Sequence, residues 1–318
     1  MLLKCIIQIP CFNEEVSLPT TLAALPRSLQ GVDCVEWLVI DDGSSDHTAE
    51  IAKWHGVEHV IRLTKNQGLA RAFMIGIEAC LKKGADIIVN TDADNQYHAG
   101  DIEKLIVPII EKKADMVIGT RPIDDIKHFS FSKKLLQKIG SLVVRFISRA
   151  DVKDASSGFR AISRTAAKKI CVFSDYTYTL ETIIQASRNG TVIASVPVRT
   201  NEYLRPSRLV KNSLSYVFIS AVTIARMFVV YNPFKFFSTL ALLNFLAGIL
   251  IGVRFLILLT MGMGQGHIQS LILCTILIIA AILLFTIAIL ADLIAINRQL
   301  LEKIDLHLKL LNEEKDIN

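Results

Sequence analysis

Apolar and polar positions alternate on two different length scales along this chain. Up to about residue 200 the apolar residues come in short runs: Leu3–Ile9, Glu36–Ile40, His59–Arg62, Asp86–Asn90 and Asp115–Ile118. Each has the length and the β-branched or apolar content of a strand. Between them, Val16–Leu29, Thr48–His55, Gly68–Lys82 and Ile102–Glu111 carry apolar residues at helical spacing. This strand–helix alternation predicts an α/β domain with a mainly parallel sheet covered on both faces. Ligands of such sheets sit beyond the carboxyl ends of the strands, so the residues there carry the functional question.

Beyond residue 235 the pattern changes. No charged side chain occurs from Phe236 to Val253; after Arg254 the apolar run resumes over Phe255–Met263, and Ile268–Ala291 is again uncharged until Asp292. Each stretch is close to or above the roughly 20 residues that carry a helix across about 30 Å of hydrocarbon. Two core helices of a soluble protein would need polar residues at helical spacing for their outward faces, and these are missing. Two transmembrane helices are therefore predicted, with Arg254 snorkelling to the far interface. The connector Gly262–His267 has no Lys or Arg, whereas Arg199, Arg205, Arg208, Lys211, Arg226 and Lys235 precede the first span. The positive-inside rule then predicts both termini, and the first two-thirds of the chain, in the cytoplasm. Met1–Ile9 is too short, and too soon followed by Pro10 and Asn13-Glu14-Glu15, to be a signal peptide. Ser213–Tyr231 and Phe129–Ile147 have the character of interfacial helices. The expected division is a domain over 1–211, a juxtamembrane helix over 212–235, two spans within 236–296 and a cytoplasmic tail over 297–318.

Composition narrows the function classes. Apolar residues make up 52% of the 318, and mean hydropathy is +0.44, which excludes disorder and fits a chain partly in lipid. The net charge of +5 falls short of a nucleic-acid binder. The six cysteines form no CxxC pair and read as small buried hydrophobes, not as a zinc site or disulfide framework.

Carboxylates crowd the strand ends. Pro10-Cys11-Phe12-Asn13-Glu14-Glu15 follows the first strand, Asp41-Asp42-Gly43-Ser44-Ser45-Asp46 the second, and Thr91-Asp92-Ala93-Asp94 the fourth. Singly, each has an ordinary structural use: Asp46 or Ser45 as a helix cap, Gly43 as a turn. Together they converge on one sheet edge, where their repulsion calls for a divalent cation and a polar ligand. Oxygen donors without His or Cys select Mg²⁺ or Mn²⁺, ions that complete their shell with phosphate and water. A nucleoside diphosphate is the natural partner, while the absence of a P-loop and of G-x-G-x-x-G disfavours P-loop hydrolysis and dinucleotide redox chemistry.

The ordered series P-C-F-N-E-E at 10–15, V-I-D-D-G-S-S-D at 39–46, N-Q-G-L-A-R-A at 66–72, D-A-D at 92–94 and D-A-S-S-G-F-R-A at 154–161 resembles family 2 glycosyltransferases of the GT-A fold. More narrowly it resembles the polyprenyl-phosphate glycosyltransferases, over roughly residues 3–211, and the two carboxy-terminal spans match the bacterial branch of that group. The resemblance implies a UDP-sugar donor, with glucose the preferred choice over mannose, aminoarabinose or N-acetylated sugars. It also implies an undecaprenyl-phosphate-like acceptor, Mg²⁺ or Mn²⁺, inverting transfer and residence in a bacterial plasma membrane, and it leaves homo-oligomerisation open. By the same resemblance, Pro10, Asn13, Glu14 and Asp42 would bind the nucleoside, and Lys65, Gly68, Arg71 and Gln96 would line the donor pocket. Asp92 would face ribose and sugar, and Asp94, with Asp92, would hold the metal. Asp154 would sit beside the anomeric carbon as a base or to position the acceptor. Arg121, Arg160, Arg205, Arg208 and Lys211 would grip the acceptor phosphate. A processive synthase would need Q-x-x-R-W, and Gln185-Ala186-Ser187-Arg188-Asn189 lacks the Trp; a transporter would need a more polar path than two spans with one charge.

Overall fold

The computed structural model describes residues 2–122, 141–142, 144–146, 148, 151–172, 178–201, 222, 225–226, 229–262 and 268–317, with side chains as far as Leu301 and at Ile304. The chain forms two compact units, Met1–Val222 and Thr223–Asn318.

The first unit is built on a seven-stranded sheet: β1 (Lys4–Cys11), β2 (Cys34–Asp41), β3 (His59–Arg62), β4 (Ile87–Asn90), β5 (Met116–Thr120), β6 (Arg160–Ser163) and β7 (Ile193–Pro197), in the order β3-β2-β1-β4-β6-β5-β7. The helices are α1 (Leu18–Ala24), α2 (Thr48–Trp54), α3 (Leu69–Lys82), α4 (Ile102–Ile110), α5 (Arg164–Lys168) and α6 (Thr179–Arg188). β1 pairs in parallel with β2 and β4, β2 with β3, and β5 with β7. Only β6 runs the other way, antiparallel to both β4 and β5.

Strand periodicity accounts for the two covered faces. Cys5, Ile7, Ile9, Val39, Ile87 and Val89 form one buried cluster with Leu18 and Leu22 of α1 and Ile102, Leu105 and Ile106 of α4. The intervening residues, Ile6, Gln8, Leu38 and Ile40, are equally buried, and α3 packs against β1 and β2 there. The first five strands and four helices thus follow the sequence pattern. α1 is shorter than its apolar spacing suggests, because Leu25 turns to extended backbone (ψ 138°) just before Pro26.

The pairing has one consequence for function. β1 to β5 and β7 present their carboxyl ends at one edge of the sheet, and the reversed β6 presents its amino end there, with Asn90 opposite Arg160. The segments that follow β1, β2, β3 and β4, and the D-A-S-S-G-F-R run that leads into β6, therefore open onto the same edge.

The second unit contains α7 (Pro233–Thr260) and α8 (Ile268–Ile317). They pack along a seam of small residues, Ala241 and Gly248 on α7 and Cys274, Ala281 and Ala288 on α8, the last three spaced by seven. Large apolar side chains cover the outside: Leu250 is 73% and Ile282 61% exposed. Both helices are long and apolar enough to cross a membrane, their most apolar 18-residue stretches having mean hydropathies of 2.4 and 3.1. α8 does not stop at the end of its apolar stretch: its 50 residues make a helix about 75 Å long, so the expected tail over 297–318 is helical as far as Ile317. Arg298 lies over the ring of Tyr231, Cζ 4.3 Å from its centroid, and ties α8 to the segment that opens α7.

Candidate active site

Two loops interlock at the ends of β1 and β2. Asn13, with φ 54°, turns its backbone so that its Oδ1 accepts from the Ser45 amide at 2.9 Å while its own amide donates to Ser44 Oγ at 2.9 Å. The Glu14 amide donates to Thr48 Oγ1 at 2.9 Å and the Glu15 amide to Asp46 Oδ2 at 3.1 Å. Asp46 also accepts from the Thr48 amide at 3.1 Å, so it ends the loop and opens α2. Gly43 adopts φ +71°, and a side chain there would run into the backbone of Lys65 and Asn66. Asp42 is buried, and both its carboxylate oxygens accept backbone amides, from Gln67 at 2.7 Å and Gly68 at 2.9 Å. Burial nonetheless raises its carboxyl above the ordinary value, against those two bonds. Gly43, Ser44, Arg62, Leu63 and Thr64 line a shallow cavity of about 260 Å³ beside this loop.

Of the residues expected to bind the donor, Pro10 lies buried inside β1, opposite Ile40 of β2. It therefore acts on the pocket only through the strand end. Lys65 and Arg71 are exposed and their side chains make no hydrogen bond or ion pair among the described residues. Gly68 and Gln96 enter the site through their backbone, Gly68 to Asp42 and the Gln96 amide to Asp94 Oδ1 at 3.2 Å.

Asp92 and Asp94 follow β4 directly. Loss of solvent, and then the charge of Asp94, push the Asp92 carboxyl up to about 7; Arg121 and Arg160 pull it down, and Glu14 adds to the rise. The D-A-S-S-G-F-R segment reaches the same place. A Cβ on Gly158 would fall 2.9 and 3.0 Å from the two Asp92 oxygens, so only glycine leaves room for that carboxylate. Tyr97 is buried and stacks on Phe159 with centroids 4.8 Å apart, its hydroxyl accepting from the Gly158 amide at 3.2 Å.

Asp154 is fully buried, and Arg121 grips it bidentately, Nε to Oδ2 at 2.7 Å and Nη2 to Oδ1 at 3.0 Å. Ser156 Oγ donates to Oδ1 at 2.9 Å. Asp154 is thus paired with Arg121 and not with Arg160, the arginine of its own motif. Arg160 departs from the sequence expectation altogether. It is fully buried, donates to Thr182 Oγ1 at 2.7 Å and to the Ser157 carbonyl, and sits over the Tyr178 ring. Its guanidinium braces the floor of the site and is not on a surface that a lipid phosphate reaches. Arg205, Arg208 and Lys211 lie outside the described residues, as do the connector 263–267, residues 213–221 and most of 129–147.

Sequence reasoning overlooked the strap that joins the Asp94 turn to the end of β7. The Asn201 amide donates to the Gln96 carbonyl at 2.9 Å, and its Nδ2 to the Asn95 carbonyl at 2.9 Å and that of Tyr97 at 3.2 Å. Arg199 donates from its amide at 2.6 Å and from Nη2 at 2.8 Å to the buried Asp101. The available signal was the lone Asp101 ahead of an apolar helix and its distant basic partner.

The model of the glycosyl transferase family 2 matches residues 6–171, more than half of the chain. The chain belongs to this family. It is 30% identical over 200 residues to an undecaprenyl-phosphate mannosyltransferase of Micrococcus luteus, an alignment covering 60% of this chain and 80% of that protein. It is 32% identical over 218 residues to a UDP-N-acetylglucosamine–dolichyl-phosphate N-acetylglucosaminyltransferase of Methanococcus voltae, covering 60% and 83%. Its fold matches glucosyl-3-phosphoglycerate synthase of Mycobacterium tuberculosis with a TM-score of 0.56 at 19% identity, covering 70% of this chain and 79% of that one. The chain is a glycosyltransferase built on the GT-A fold, as its motifs imply.

Proposed function

We propose that this glycosyltransferase transfers a single sugar, glucose from UDP-glucose, to the phosphate of a membrane polyprenyl phosphate, with inversion at the anomeric carbon. An acceptor phosphate oxygen forms the new bond to that carbon as the bond to the UDP β-phosphate oxygen breaks. The observation that carries the reading is the meeting of Asp92, Asp94, Arg121 and Asp154 at one sheet edge, with the Asp42 loop along the same edge. The printed activities of the Micrococcus and Methanococcus relatives, both on polyprenyl-type phosphates, support the acceptor class.

The Asp42 loop, with Asn13, Glu14 and the Gly68 turn, would receive the nucleoside. Asp92 and Asp94 fit a hard divalent ion: they are oxygen donors separated only by Ala93, and their mutual repulsion is part of what raises Asp92. Among the described residues no group of three or more His, Cys, Asp or Glu could hold a metal. These two would therefore share Mg²⁺ or Mn²⁺ with the donor diphosphate and water. Bound there, such an ion supplies charge neutralisation to the departing UDP.

Both oxygens of Asp154 are engaged by Arg121, so the carboxylate serves as the counter-charge of that guanidinium. The acceptor phosphate, with a second pKa of about 6, needs little deprotonation near neutral pH. Asp154 then orients Arg121 toward the acceptor phosphate, and Arg205, Arg208 and Lys211 would complete the clamp at the bilayer surface. α7 and α8 would anchor the chain, with the site and both termini on the cytoplasmic side.

A donor panel tests this reading: UDP-glucose, a mannose nucleotide and UDP-N-acetylglucosamine, each with polyprenyl phosphate in detergent, with and without EDTA. UDP-glucose should be the best donor and EDTA should abolish transfer. Preference for another nucleotide sugar would change the sugar and keep the reaction, and full activity in EDTA would remove the metal role.

A further inference from the structure

Asn90 closes β4 with a fully buried side-chain amide. Its Oδ1 accepts from Gln8 Nε2 at 2.9 Å, and its Nδ2 donates to the Gly158 carbonyl at 2.8 Å and to Tyr178 Oη at 2.9 Å. The carbonyl can only accept, which fixes the orientation of the amide and makes Tyr178 Oη an acceptor as well. The phenol keeps its own proton for another partner. Tyr178 is itself held rigidly: it is buried, its ring stacks on Phe73 with centroids 3.9 Å apart, and the Arg160 Cζ lies 5.3 Å from its centroid.

The missing side chain of Gly158 lets that hydroxyl and the Asp92 carboxylate approach each other. The point a Cβ would occupy lies 3.0 Å from Tyr178 Oη and 2.9 and 3.0 Å from the two oxygens of Asp92. A hydroxyl with a proton to give and a carboxyl group face each other across one glycine. Tyr178 and Asp92 share no direct hydrogen bond among the described residues, so the proton reaches the carboxylate through a single water beside Gly158.

We propose that Tyr178, set by Asn90, is a positioning residue that holds the Asp92 carboxylate in the orientation that receives the donor. The inference rests on the reading of Asp92 and Asp94 as the donor site. No substrate contact is assigned to Tyr178; it acts through Asp92, as outer-shell partners of a metal or ligand carboxylate do.

Tyr178→Phe removes the hydroxyl and keeps the ring on Phe73. In the full-length protein in detergent, calorimetric titration of UDP with Mn²⁺ should show affinity lowered by about 10-fold with the acceptor KM unchanged, while the melting temperature falls because the buried Asn90 Nδ2 loses an acceptor. Asn90→Leu, close in volume, frees Tyr178 and should give the same loss, and the double variant should be no worse than either. It also carries the test should Tyr178→Phe fail to fold. Wild-type UDP affinity in Tyr178→Phe, or losses that add in the double variant, would overturn the inference while the donor-site reading stands. A wild-type protein that binds no UDP with Mn²⁺ would remove both.

Discussion

Gly158 and Asp154 show how closely the site is fitted at the scale of single atoms. Gly158→Ala puts a methyl group within about 3 Å of both Asp92 oxygens, a distance that real Cβ contacts do not tolerate, so the carboxylate or the strand must shift. Kinetics should show a fall in kcat/KM for the donor of about 100-fold, since a misplacement of about 1 Å costs that much, with the fold retained by circular dichroism. Asp154→Asn acts differently. It leaves the Arg121 guanidinium buried without its counter-charge, at a cost of about 3–5 kcal/mol. Thermal melts should drop by several degrees, and kcat should fall by the same factor from about pH 6.5 to 8.5, across the range where the acceptor is becoming fully dianionic. A loss that shrank as pH rose would instead make Asp154 a base.

At the scale of elements, the strap between the Asp94 turn and β7 hangs on Asp101. Burial alone would raise this carboxyl, but the Arg199 side chain and amide, with Lys104, outweigh it and hold it well below the usual carboxylate range. A depressed folded value means that the stabilisation is complete above the unfolded value near 4 and is lost as pH falls through the folded one. Asp101→Asn should therefore melt below wild type at pH 7, with the difference narrowing below about pH 4; a difference constant with pH would mean that the charge contributes nothing. The sequence pattern was sufficient for β1 to β5, whose alternating burial is a period of two that two covered faces require. β6 and β7 were missed. Arg160–Ser163 is four residues long and starts with an arginine, and its reversed direction comes from pairing with β4 and β5, which leaves no local trace. The acidic clusters were legible for the same reason that the parallel strands were, since parallel topology delivers strand ends to one edge. Arg160 was misread because a charge in a motif says nothing of its depth, and Tyr178 gave no signal because its value lies in its distance from Asn90 and Gly158.

The whole molecule joins a GT-A domain to a helical hairpin whose outer surface is too apolar for water. That combination suits a reaction between a soluble donor and a lipid acceptor, because two helices apolar enough to cross a bilayer would tether the catalytic domain to the membrane that holds the acceptor. The hairpin was readable from hydropathy alone, whereas the length of α8 was not, since its last turns carry charge at helical spacing like any solvated tail. The most direct test of the account is the product. Full-length protein, radiolabelled UDP-glucose, polyprenyl phosphate and Mn²⁺ should place the label in the organic phase as one sugar per lipid, of inverted anomeric configuration and released by mild acid. Asp94→Asn should lower the rate by several powers of ten, given that the charge it helps neutralise is worth several kcal/mol. Label recovered as a polymer or on a water-soluble acceptor, or transfer undiminished in Asp94→Asn, would contradict the account.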